Sequence, residues 1–165
     1  MRKKSDSLLP YLFPKKFWIP FFICLAAFFV IRSGHFVRVS GTSMEPTLHG
    51  GDILHVETKT VPDGLKAGSI VVLDQKEDGT DHLLIKRIVG FPGDVLEIRL
   101  GRLYRNGVLE NDSYGVIDKA GLLAAPYYVR DGHVFVMGDN RNASYDSRNF
   151  GAVPIEQVVG TVEKR

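Results

Sequence analysis

One stretch of this chain cannot be absorbed by a small water-soluble fold: Phe17 to Ile31 reads FWIPFFICLAAFFVI, without a single charged side chain. Arg2, Lys3, Lys4, Lys15 and Lys16 precede it against one acidic residue, Asp6, so an apolar segment follows a basic end. At about 1.5 Å per residue, roughly 15 helical residues rise about 22 Å, less than the roughly 30 Å of a bilayer's hydrocarbon core. Spanning therefore draws on Lys15, Lys16 and Arg32 to extend their charged ends to the headgroups. A cleaved secretory signal peptide is the competing reading, because its apolar region is often this short. Arg32 stands where the small residues of a cleavage site belong, which favours a retained anchor. Pro20 starts or kinks the helix. The basic flank keeps the N-terminus in the cytoplasm and sends everything beyond residue 32 to the outer face. The expected organisation is a basic cytoplasmic segment over 1–16, a transmembrane anchor over 17–34 and an extracytoplasmic domain over 35–165.

With 165 residues in all and 44% hydrophobic content, the remainder suffices for one modest domain with its own core. The 21 Lys and Arg are dispersed among 19 Asp and Glu, for a net charge of +2, and no basic block marks a nucleic-acid surface. Cys24 is the only cysteine and lies inside the apolar run. That excludes an intrachain disulfide, a paired-cysteine metal site and a thiol nucleophile.

Beyond the anchor, short apolar runs alternate with turn residues: FVRVS at 36–40, DILHVE at 52–57, SIVVLD at 69–74, HLLIKRIV at 82–89 and VLEIRL at 95–100. This pattern predicts a mainly β fold, an antiparallel β-sheet domain behind one N-terminal transmembrane helix. Asn106-Gly107 predicts a tight type I′ hairpin turn, and Pro92-Gly93 fits the centre of a type II turn joining the runs at 82–89 and 95–100. Further strands are expected at Tyr127–Val129, His133–Met137 and Val158–Glu163. No helix of ordinary length is expected outside the anchor.

Three segments carry residues that a plain β core does not need. SGTSMEPTLHGGD, at 40–52, sets Ser43 in a glycine- and proline-constrained loop, as an exposed nucleophile with a nearby oxyanion donor requires; on its own the segment also reads as an ordinary loop. In HLLIKRIVGFPGD, at 82–94, period-two alternation puts Lys86 on a face with Leu84 and Ile88, and Arg87 on the other with Ile85 and Val89. A lysine buried among such neighbours loses the water that stabilises its ammonium form, so its pKa falls and it becomes a proton acceptor; a lysine snorkelling from an edge strand does not. MGDNRNASYDSRNFGAVP, at 137–154, is too polar for a strand. Its Asp139, Asp146, Arg141 and Arg148 can pair with each other or with Arg87, and the Ser144 hydroxyl is suited to orienting an amine; the same composition also reads as a solvated surface loop whose ion pairs are worth little.

Taken in order, these segments resemble the type I signal peptidases: a Ser-Met box, a Lys-Arg box ending in Gly-x-Pro-Gly-Asp, and a Gly-Asp-Asn-x-x-x-Ser-x-Asp-Ser-Arg box. The resemblance covers the anchor and most of 36–162. It implies Ser43 as nucleophile, Lys86 as general base and Ser144 as a hydroxyl that helps hold the lysine. It also implies structural ion pairs of Asp146 with Arg148 and of Asp139 with Arg87. Val39, Met44, Leu48, Leu84 and Ile85 are carried over as an apolar substrate pocket suited to alanine-like side chains. Gly41 departs from the best-known form of the family, which has an oxyanion-donating serine two residues before the nucleophile.

The resemblance implies an enzyme that cleaves signal peptides from exported preproteins after Ala-x-Ala-like sites at the cytoplasmic membrane. Its partners are signal peptides and membrane lipid, with no nucleic acid, metal or organic cofactor. Alternatives are a related Ser-Lys maturation peptidase of the pilin or conjugation type, or an inactive membrane-tethered peptide-binding domain. A Ser-His-Asp hydrolase fits poorly, since none of the five histidines has a recognisable context and no G-x-S-x-G elbow exists.

Overall fold

The computed structural model describes residues 35–58, 64–77, 80–110 and 113–162. The expected basic segment over 1–16 and anchor over 17–34 lie outside the described residues. Among those described, no helix is long and apolar enough to cross a membrane. The chain divides into two units, Met1–His35 and Phe36–Arg165, and the second carries the architecture that follows.

The architecture is mainly β, as the alternation predicts. The strands are β1 (His35–Arg38), β2 (Ile53–Glu57), β3 (Ile70–Glu77), β4 (Thr80–Gly90), β5 (Val95–Arg99), β6 (Arg102–Arg105), β7 (Val108–Leu109), β8 (Tyr127–Tyr128), β9 (His133–Met137), β10 (Val153–Pro154) and β11 (Val158–Val162). A seven-stranded sheet runs β1-β2-β11-β3-β4-β9-β10, and a four-stranded sheet runs β7-β6-β5-β8. Apart from short 3-10 turns, the one helix among the described residues is α1, Ser147–Phe150.

The IVVL run that opens β3 is continuous rather than alternating because both of its faces are covered. Ile70 and Val72 pack with Val39, Met44, Leu48 and Val56, while Val71 and Leu73 pack with Ile88, Val134 and Val136. A third cluster joins the sheets: Leu96 and Leu103 from the small sheet meet Val89, Phe135 and Met137 from the large one. Each fully buried side chain of this size stabilises the fold by about 1.5–3 kcal/mol. These clusters hold β4 and β9 side by side and set the loops at their ends.

Both expected turns form. Asn106 and Gly107 have φ of 53° and 77°, the paired positive values of a type I′ turn between β6 and β7. Gly93 has φ of 85°, and the Asp94 amide donates to the Phe91 carbonyl at 2.9 Å. The strands flanking Pro92-Gly93 do not pair with each other, however; the turn carries the chain from the large sheet into the small one. A bulge between Ile88 and Gly90 helps redirect it, and a Cβ at Gly90 would lie 2.6 Å from Leu96 Cδ1. The hairpin of β3 and β4 also runs further than its apolar runs suggest, with pairing from Ile70↔Arg87 out to Glu77↔Thr80.

Candidate active site

Ser43 lies in a short, internally bonded loop that follows β1. The Val39 amide donates to the Asp52 carbonyl at 2.8 Å and the Gly51 amide to the Val39 carbonyl at 2.9 Å, closing the loop at its base. Buried Val39, Met44 and Leu48 root it in the core. Gly41, at φ +84°, occupies a backbone region that side chains disfavour. The Ser43 amide donates no hydrogen bond among the described residues, so it is free to serve an incoming acceptor.

Lys86 approaches from β4. Its backbone pairs with Val71 on β3, and the pairing of β4 with β9 begins only at Arg87↔Met137. The lysine is 3% exposed, so it does not snorkel. Its Nζ lies 3.0 Å from Ser43 Oγ and donates to the Ile85 carbonyl at 3.2 Å. Burial pushes the lysine pKa below its ordinary 10.5, because the ammonium ion has lost its water; the Asp146 carboxylate pulls the other way, with smaller effect.

The polar segment after β9 closes the site, and Asp146 is its hub. Buried completely, its carboxylate caps α1 by accepting from the Arg148 amide at 3.1 Å, pairs with the Arg148 guanidinium at 2.8 and 2.9 Å, and accepts from the Gly138 amide at 3.0 Å. Asn149 completes a capping box through the Asp146 amide. Arg87 grips Asp139 with two parallel bonds of 2.7 and 2.6 Å and also donates to the Gly68 carbonyl. Both expected ion pairs are thus present as geometry. Charged hydrogen bonds held this far from water resist competition in a way surface pairs do not.

Ser144 departs from expectation. Its hydroxyl is buried but has no hydrogen-bond partner among the described residues, and the bonds of the lysine amine go to Ser43 and Ile85 instead. The five residues expected to line a pocket also separate. Leu84 borders a cleft of about 460 Å³ that opens on Ser43 and Lys86, whereas Val39, Met44, Leu48 and Ile85 are 9% exposed or less and pack into one core cluster behind it. One wall of the cleft is Ser40–Ser43 and the other is His82–Leu84 with Lys86; Gln75, Ala143 and Tyr145 complete it. No group of three or more His, Cys, Asp or Glu among the described residues is placed to hold a metal.

The model of the signal peptidase family, peptidase S26, matches residues 15–165. The chain belongs to this family. As a member of the signal peptidases, it is a serine peptidase by class. Signal peptidase I of Bacillus licheniformis is 37% identical over 134 residues, covering 74% of this chain and 71% of that protein. Signal peptidase IB of Staphylococcus aureus is 33% identical over 177 residues, covering 92% and 90%. Thylakoidal processing peptidase 1 of Arabidopsis thaliana is 38% identical over 133 residues, of which the match spans only 38%. Among solved structures, a signal peptidase I from Enterococcus faecalis aligns with a TM-score of 0.50 at 26% identity, over 61% of this chain and 98% of that one.

Two residues that hold the candidate site together escaped the sequence reading. Asn140 donates its backbone amide to the Ser43 carbonyl at 3.0 Å and its side-chain amide to the Thr42 carbonyl at 3.2 Å, tying the Ser43 loop to the polar loop. Gly138 sits where a Cβ would overlap the Ser144 hydroxyl and lie 2.5 Å from the Ser43 carbonyl oxygen. Both stand in the third box, but the Thr42 and Ser43 carbonyls they meet lie almost a hundred positions away, which no local pattern reveals.

Proposed function

We propose that this chain removes N-terminal signal peptides from exported preproteins, with Ser43 as nucleophile and Lys86 as general base. The observation that carries the reading is the 3.0 Å contact between Lys86 Nζ and Ser43 Oγ, made by a lysine that is sealed from solvent. In its neutral form the amine accepts the Ser43 proton while Oγ attacks the carbonyl of the scissile bond. The unpaired Ser43 amide donates to the developing oxyanion, and Gly41 contributes no side chain to that hole. The protonated amine then returns its proton to the leaving amine. Water, activated in the same way, clears the acyl-enzyme. No step calls for a metal or an organic cofactor.

Around the dyad, Ser144 is assigned as a second partner for the lysine during turnover. Asp139 with Arg87 and Asp146 with Arg148 hold the polar loop in place. The small residues of an Ala-x-Ala-like site sit against Leu84, in front of the core side chains Val39, Met44, Leu48 and Ile85. The basic segment over 1–16 stays in the cytoplasm, 17–34 anchors the chain in membrane lipid, and 35–165 works at the outer face of the cytoplasmic membrane. The sign of the charge before the apolar run supports this topology.

The test is cleavage of an Ala-x-Ala preprotein by the full chain in detergent. Ser43→Ala and Lys86→Ala are each expected to abolish it, whereas substitution of His35, His49, His55 or His133, which lie outside the cleft lining, leaves it intact. Wild-type processing by either dyad variant would falsify the assignment.

A further inference from the structure

The face of the β3–β4 hairpin that carries Lys86 is graded along its length. Three cross-strand pairs succeed one another on it: Lys86↔Val71, Leu84↔Leu73 and His82↔Gln75. The first sets the amine among apolar neighbours, the second is apolar throughout, and the third is wholly polar. Leu84, His82 and Gln75 all border the same cleft as Ser43 and Lys86. Gln75 is half-buried, its side-chain oxygen is shut off from solvent, and no hydrogen bond from the described residues reaches that oxygen. A desolvated acceptor left empty beside a cleft is costly, and a donor arriving with a ligand relieves that cost. His82, directly opposite and exposed, adds a ring that both donates and accepts when neutral.

Resting on the peptidase reading above, we propose that Gln75 and His82 form a polar subsite of the substrate cleft. It takes a hydroxyl or carboxamide side chain of the substrate. Strand residues on one face recur about every 6.7 Å, so the polar pair lies roughly 13 Å along β4 from Lys86. An extended substrate advances about 3.3 Å per residue, which puts the recognised side chain about four residues from the scissile bond. Leu84, the cleft-bordering member of the apolar pair between them, faces the small residue halfway along, with Leu73 buried beneath it. This grading assigns a preference for polarity at a distance from the cut, separate from the small residues at the cut itself.

The test is a panel of Ala-x-Ala peptides in detergent, with the near-isosteres Thr and Val exchanged at each position within about six residues of the cut on both sides. For the wild-type full chain, kcat/KM for Thr over Val is expected to reach about fivefold at one position close to four residues from the cut, the effect of one buried hydrogen bond, and to stay near unity elsewhere. In Gln75→Leu that ratio falls to about one, and in His82→Phe it is reduced; being a ratio, it is independent of any change in the overall rate. A ratio near unity at every position in the wild type, or a peak that survives both substitutions, overturns the subsite while leaving the peptidase reading intact. Absence of cleavage of any peptide by the wild type, or cleavage that persists in Ser43→Ala, overturns the peptidase reading and this proposal with it.

Discussion

The Lys86 amine lies 3.0 Å from the Ser43 hydroxyl oxygen, although neither residue's backbone pairs with the other's strand. The contact exists because the loop after β1 and the strand β4 are rooted in one core cluster through Met44 and Ile85. A base there is useful only when uncharged. Burial holds the lysine below 10.5, so the acid limb of kcat/KM is expected below that value, with activity rising as pH increases through it. An acid limb at or above 10.5 contradicts the assignment. Lys86→Met removes the base and is expected to lower kcat/KM by about 10²- to 10⁴-fold without changing the site's shape.

The same burial predicts the sign of a stability effect. The unfolded chain protonates the lysine below 10.5, while the folded chain resists doing so until the pH is lower. Between the two values the unfolded state binds more protons, so this group's contribution to stability rises with pH and the penalty is full below the folded value. Lys86→Met is therefore expected to melt at a higher temperature than wild type at neutral pH, with the gap closing as the pH approaches 10.5. Calorimetry of the pair across that range checks it; a gap that widens with pH refutes the burial argument.

Much of this site is legible in order along the chain but not in space. Alternation in HLLIKRIV puts Lys86 with Leu84 and Ile88, and the register with Val71 and Leu73 makes that face dry. Alternation alone leaves open whether a lysine is buried or snorkelling, because that depends on what packs over the strand. Pro92-Gly93 likewise announces its turn without revealing that the next strand joins another sheet, since turn geometry is local and sheet membership is not. The polar ends of β3 and β4, beyond Asp74, carry no apolar period, so only pairing itself extends the hairpin to Glu77↔Thr80.

Ser144 offers a separation of turnover from folding. Its buried hydroxyl has no partner in this arrangement, so deleting it sacrifices no resting hydrogen bond. Ser144→Ala is expected to leave the melting temperature unchanged or slightly higher, because removing an unsatisfied buried hydroxyl relieves a desolvation cost. If the hydroxyl takes up an N–H of Lys86 during the reaction, kcat falls about tenfold all the same. Unchanged kcat removes Ser144 from the mechanism.

Gly138 tests the close fit between the two loops. A methyl group there would meet Ser144 and the Ser43 carbonyl, and the backbone carbonyl has no rotamer to yield. Gly138→Ala is expected to cost about 1–3 kcal/mol of stability, the range for overpacking, and to lower kcat more than it raises KM because the displaced group is Ser43 itself. Thermal melts and steady-state kinetics on the same preparation check both parts.

Asn140 is the bond between the Ser43 loop and the polar loop that survives when side chains elsewhere are changed, since half of it is backbone. Its amide N–H to the Ser43 carbonyl persists in any substitution except proline, while its side-chain bond to the Thr42 carbonyl is lost in Asn140→Ala. That side-chain bond is on the surface, so its loss is expected to cost only about 0.5–1 kcal/mol of stability. Its effect on turnover is larger for its size: Thr42 precedes the Ser43 amide, and a freer Thr42 carbonyl lets the peptide that carries the proposed oxyanion donor rotate. The expected result is a fall in kcat of about five- to tenfold with KM little changed, because a misaimed donor weakens the transition state more than the ground state. Asn140→Asp, which keeps the size but presents a carboxylate oxygen to the Thr42 carbonyl, is expected to be worse than alanine. Should aspartate instead match the wild type, the side-chain bond to Thr42 has no part in setting the Ser43 amide.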